Sequence, residues 1–421
     1  ITRISQKAGR PVTETANNVA PPRVPLAPKK PHSFTHHGIT VEDPYAWLRD
    51  PGYPKVEDQD VLNHLKAENA WFESRMAPHE GLTEKLFAEM CARIKEDDSS
   101  VPQKDGDWYY WVEYEKGAQY KQWWRKPAAG GRDGTEGKQL LLDEVVLAEG
   151  KDYFNLGSFS VSADGTKLAY STDTDGSERF EARIKDLATG ELLPDTIPGT
   201  LGSLIWTAND SKIAYSLANE QWRTDNVRLH TLGTPIDQDV EIFHEDDEGF
   251  RCGASLSANE QWLLIATSDH ETSEVRIVPA ADPTGEQILI KARQKGVEYE
   301  VDVRDDTIVV LTNDDHVNFR LASAPLAGPG EWTTLIAGSD EFYITGFELF
   351  EKFYVVEGRR AGLDQIEIRD YADPAKITPV DFPEESYVAA MGNNPEWDMD
   401  VLRIGYNSMV TPSTVYDYDV A

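Results

Sequence analysis

A serine set between small residues is the first place to look for a nucleophile. In Gly-x-Ser-x-Gly the glycines let strand and helix approach a hydroxyl held on a sharp turn. Gly253-Ala254-Ser255-Leu256-Ser257 comes nearest to that pattern but lacks the second glycine. Laid over Phe159-Ser160-Val161-Ser162-Ala163-Asp164, it places Ser255 opposite Ser160 in a repeated strand, which is a structural position. The 9 histidines show no partner pattern from which a Ser/His/Asp triad could be assembled. His36-His37 is a poor metal site, because adjacent residues of a strand point to opposite sides. Asp173-Thr174-Asp175-Gly176 is similar to the start of a calcium loop, yet the twelfth place, where a bidentate Glu is needed, holds Ile184. It reads as a turn at a strand end. His244-Glu245-Asp246-Asp247-Glu248 reads as a solvated acidic loop. Gly131 and Gly137-Lys138-Gln139 have the wrong spacing for a phosphate loop, and no Ser or Thr follows the lysine. No catalytic, cofactor-binding or metal-ligating residue is therefore assigned, and the chain alone is expected to hydrolyse nothing.

Charge narrows the partners. Lys and Arg number 41 against 74 Asp and Glu, a formal balance of −33. That sign opposes nucleic acid and anionic membrane surfaces, which are bound through clusters of Lys and Arg. It suits cationic ligands, and equally a solubilising surface. The 2 cysteines, Cys91 and Cys252, make no disulfide framework. No apolar run reaches the roughly 18 residues that a membrane span requires.

The elements that would carry any site come from a repeat. Seven times a short apolar or aromatic run returns, marked by Tyr110, Tyr170, Tyr215, Ala266, Leu311, Val356 and Tyr406, at steps of 60, 45, 51, 45, 45 and 50 residues by subtraction. Each is followed by an alternating run, at residues 120–125, 183–187, 227–232, 275–279, 319–323, 366–370 and 415–419. A period of that length with about four strands per unit predicts an all-β fold, a seven-bladed β-propeller over residues 95–421. Ala163-Asp164-Gly165-Thr166 and Ala208-Asn209-Asp210-Ser211 are the expected turns between the innermost strand of a blade and the next. Residues 190–197 supply a fourth strand to the second blade. After Tyr416-Asp417-Tyr418-Asp419 no such strand follows, so the chain is expected to belong to a longer polypeptide.

Ahead of the propeller, residues 1–33 form a Pro-rich extended arm. Residues 34–94 then carry two α-helices: Val61, Leu65, Phe72 and Met76 recur at helical spacing, and after a break at residues 78–81 so do Leu82, Leu86, Met90 and Ile94. Their apolar faces need a partner surface.

Three stretches resemble the prolyl oligopeptidase family of serine peptidases, most closely its oligopeptidase B branch. They are Val41-Glu42-Asp43-Pro44-Tyr45-Ala46-Trp47-Leu48-Arg49-Asp50 with Ala67-Glu68-Asn69-Ala70; Tyr153-Phe154-Asn155-Leu156-Gly157-Ser158-Phe159 running into the Ala163-Asp164-Gly165 turn; and Ser408-Met409-Val410-Thr411-Pro412-Ser413-Thr414-Val415-Tyr416-Asp417-Tyr418. The resemblance implies a seven-bladed propeller that gates substrate access to a carboxy-terminal α/β-hydrolase domain, on which the arm and helices pack. Ser, Asp and His of that domain would cleave short peptides after Arg or Lys through an acyl-enzyme, so no catalytic residue maps onto this chain. The implied partners are the hydrolase domain of the same protein and short basic peptides, with neither nucleic acid nor membrane. The implied compartment is the cytoplasm, with the periplasm left open. Hinges are expected at residues 94–98 and at or beyond Ala421. The alternatives are a free-standing propeller scaffold and a relative with proline or dipeptide specificity.

Overall fold

The computed structural model describes residues 23–53, 55–134, 136–373 and 375–420. Most of the expected Pro-rich arm, residues 1–22, lies outside them. The chain divides into two compact units after Asp98.

In the first unit a hairpin pairs Ser33–His36 with Ile39–Glu42. His36 ends its first strand while His37 sits in the turn at φ 52°, so the two histidines do not share a strand. Helix α1 spans Gln59–Met76 and starts where the Asp58 carboxylate accepts from the backbone N–H of Asp60 and Val61, at 2.8 and 3.2 Å. No Gly or Pro interrupts it until Pro78, inside the turn Ala77–His79. Helix α2 then runs Glu80–Ala92, leaving Ile94 beyond its end and Gly81 within it. Val61 is the buried residue of α1, and α2 has none. Phe72 is 58% exposed and Met90 59%, so the apolar stripe expected from the spacing is real and uncovered in this chain.

The second unit is built from antiparallel sheets. The first holds Gln103–Asp105, Trp108–Glu113, Gln122–Pro127 and Gln139–Asp143. The third begins at Arg251–Leu256, the fourth at Tyr299–Arg304 and the fifth at Tyr343–Leu349, each with four strands. The sixth has three: Tyr387–Met391, Val401–Ser408 and Thr414–Asp419. Strands Asn155–Val161 to Val240–His244 all join in one second sheet of seven.

The expectation of a seven-bladed propeller is corrected by this pairing, which gives five blade-sized sheets and one of double width. The cause is the 16-residue strand Leu192–Thr207. Its first part pairs with Phe180–Asp186 and its second with Lys212–Leu217, and Thr200 is paired to both Phe180 and Leu217. Gly199 and Gly202, at φ 73° and 86°, fall at two of its three register shifts, those between Ile197 and Thr200 and between Leu201 and Ile205. The repeat read from sequence counts strand phrases. It does not count breaks between sheets.

Apolar clusters join each sheet to the next, as where Leu141 and Leu142 of the first meet Leu168 and Tyr170 of the second. Phe353 and Ile368 of the fifth meet Leu402 and Tyr406 of the sixth in the same way. Closure between sixth and first is polar instead. Arg403 donates to the carbonyls of Val101 and Pro102 at 3.2 and 3.0 Å, and Lys104 pairs with Glu396 at 2.5 Å. No described helix is long and apolar enough to cross a membrane.

Candidate functional site

Where the innermost strand of each of the first four repeats turns into its neighbour, the turns converge, together with residues 395–397, on a cavity of about 960 Å³. Gly106, Gly165 and Asn209 take positive φ there, which is what tight turns between twisted strands demand. Six carboxylates line it: Asp105, Asp107, Asp164, Asp210, Glu260 and Glu396. Among the described lining residues there is no Lys, Arg or His.

Three of the six are committed to the turns. Asp164 accepts from the Ser162 and Thr166 hydroxyls at 2.6 and 2.7 Å; burial pushes it up, but these bonds and Lys167 pull it down to about 2. Asp210 accepts from the backbone N–H of Ala163 and Asp164 at 3.1 and 2.9 Å and so ties one turn to the next. Glu396 is held by Lys104. Asp105, Asp107 and Glu260 make no side-chain hydrogen bond or ion pair among the described residues, although all three are open to water on the concave wall. Burial, then Glu396, holds the Asp105 carboxyl above its ordinary range, with Lys104 opposing. Burial, then Asp105 and Asp210, does the same to Glu260.

Ser255 lies in Arg251–Leu256 opposite Leu264 and also borders this cavity, a strand position equivalent to that of Ser160 in its own strand. Asp173 is a turn anchor: its carboxylate accepts from the backbone N–H of Asp175, Gly176 and Glu178 at 3.0, 3.0 and 2.8 Å. Within residues 244–248, which are otherwise exposed as expected, Glu245 departs from the solvated loop. Glu245 is 4% exposed and pairs with Arg293 at 2.6 Å, which outweighs the cost of burial and holds its carboxyl below the ordinary value. In the glycine-rich segment, Lys126 donates to the carbonyls of Arg132 and Gly134 and so closes the loop on itself. Sequence reasoning missed Asp105 and Glu260. The signal available was that each of them borders a strand turn of the repeat.

Residues 25–421 match the family described as prolyl oligopeptidase, N-terminal beta-propeller domain. The chain belongs to that family. Dipeptidyl aminopeptidase BI of Pseudoxanthomonas mexicana is 35% identical over 97% of this chain and 57% of its own length. Protease 2 of Moraxella lacunata is 29% identical over 94% of this chain and 56% of its own. Oligopeptidase B from Trypanosoma brucei, solved with covalently bound antipain in a closed form, superposes with a TM-score of 0.88 at 30% identity, covering 94% of this chain and 59% of that one. The chain thus spans little more than half the length of these prolyl oligopeptidase family relatives.

Proposed function

We propose that this chain is the substrate-gating propeller of a serine oligopeptidase that cleaves short peptides after Arg or Lys. In this reading an α/β-hydrolase domain, carboxy-terminal in the same protein, supplies an activated serine, its histidine base and an orienting aspartate, and the reaction passes through an acyl-enzyme. The observation that carries it is the likeness to oligopeptidase B along nearly the whole chain, TM-score 0.88 at 30% identity. A turn-side cavity lined by carboxylates without a cationic residue supports a basic peptide as substrate.

Residues 1–33 and 34–94 act here as arm and helices laid on the hydrolase domain, which would cover Phe72, Leu86 and Met90, and residues 95–421 as the propeller. Motion about residues 94–98 and the segment at or beyond Ala421 would admit the peptide. A cytoplasmic setting, with the periplasm left open, is compatible with the free thiols of Cys91 and Cys252. Cleavage of chromogenic peptides by the full-length protein tests the assignment. Release after Arg or Lys from amino-blocked substrates, with little after Pro, is the expected result. The 35% identity to dipeptidyl aminopeptidase BI favours a second reading, in which a free amino terminus is required and dipeptides are released. Blocked and unblocked versions of one substrate separate the two.

A further inference from the structure

We propose that the cavity at the strand turns is a subsite for a guanidinium or ammonium group of a bound peptide, centred on Asp105 and Glu260. The inference deepens the basic-peptide reading above and rests on it for the identity of the ligand. Four observations converge on a cation. Asp105 and Glu260 border one cavity with no side-chain hydrogen bond or ion pair among the described residues, as does Asp107, while Asp164, Asp210 and Glu396 beside them are already satisfied by turn donors or by Lys104. Their repulsion is opposed only from outside the cavity, by Lys104 on Asp105, since no described cationic side chain lines it. Thr207 lies on the same wall, 3% exposed, and its buried hydroxyl has no hydrogen-bond partner among the described residues, which leaves it able to accept from an N–H donor. Trp397 adds indole surface, on which a guanidinium or the stem of a lysine rests favourably, whereas the Trp108 ring is already covered by Arg125 at 3.8 Å. A cavity of about 960 Å³ admits several residues of an extended peptide.

The test is titration calorimetry of the full chain with acetyl-Gly-Arg-Gly-amide and with its citrulline counterpart, which keeps the shape and loses the charge. Saturable binding of the Arg peptide, weakened at least about fivefold by citrulline and by the Asp105→Asn/Glu260→Gln pair, is expected from loss of charge-assisted hydrogen bonds. Thr207→Val should weaken it by a smaller factor. Equal binding of the two peptides, or binding unchanged within about twofold in the double variant, overturns the subsite. Should the double variant fail to fold, the citrulline comparison and the loss of binding in 0.5 M salt decide the matter on the unaltered protein. The subsite and the peptidase assignment fail separately. Arg-specific cleavage by the full-length protein with unchanged binding in the double variant removes only the subsite. Arg-dependent binding without Arg-specific cleavage removes only the peptidase assignment.

Discussion

The Nδ1 of His230 stands 2.7 Å from Oδ1 of Asp239, with both side chains sealed from water at 1% and 0% exposure. On the other side of the ring, Nε2 lies 3.0 Å from Oδ1 of Asp195, itself 2% exposed. Tyr215 donates to the second oxygen of Asp239 at 2.7 Å, and the Gly233 N–H donates to Asp195 at 2.5 Å. The cluster ties three strands of the double-width sheet to the loop ahead of its last strand. Replacing His230 with Leu leaves two buried carboxylates facing apolar surface, and urea unfolding should register a loss of about 3–5 kcal/mol. Replacement at exposed Lys55 is the control, with no loss expected.

Glu348 should make the fold less stable as pH rises through the neutral range. Burial first, and then Glu357, pushes its carboxyl up to about 7 from an ordinary 4.5. Between those values the folded chain holds a proton that the unfolded chain has released, so unfolding free energy falls with rising pH. Asp302, pushed up by burial to about 6, acts in the same direction. Glu348→Gln should remove roughly 1–3 kcal/mol of the decline between pH 4.5 and 8. Chemical denaturation at the two pH values, on the chain and the variant, measures it.

Closure of the propeller by polar contacts makes Arg403 a sensitive position. It spans from Asp417 at 3.0 Å to the carbonyls of Val101 and Pro102. Arg403→Ala should cost roughly 1–3 kcal/mol, since each carbonyl loses a charged donor. Hydrogen exchange should accelerate first in strands Trp108–Glu113 and Val401–Ser408, with little change in the third and fourth sheets.

Gly358 is fixed by space, without a special backbone angle. A Cβ there would lie 2.5 Å from the Tyr343 carbonyl oxygen and 2.5 Å from Cε2 of Phe342. The carbonyl is part of the sheet and cannot withdraw, so Gly358→Ala should lower stability by about 1–3 kcal/mol. A thermal melt reads it directly.

Much of the second unit was legible because its information is local. Alternation and turn residues place Leu168, Ile213 and Val309 on strands, and the same strands are found. Sheet boundaries were not legible. Whether residues 192–207 break or run on depends on two glycines and a shared Thr200, none of which alters the hydrophobic pattern. The acidic cavity was hidden for a related reason: Asp105, Asp210 and Glu260 lie far apart in sequence and each looks like ordinary turn chemistry. Glu245 misled because the acidic run that follows it, Asp246-Asp247-Glu248, disguised the one residue that turns inward to Arg293. The apolar stripes of α1 and α2 were read correctly as stripes, but nothing local to them names the surface they would cover.

The uninterrupted strand Leu192–Thr207 has a mechanical meaning. Two repeats that share it cannot part without tearing a common row of backbone hydrogen bonds, so they must flex and melt together as one stiff panel. Looseness is left to the joints between panels, and the joint lacking an apolar filling, between the sixth sheet and the first, is where breathing of the wall should concentrate.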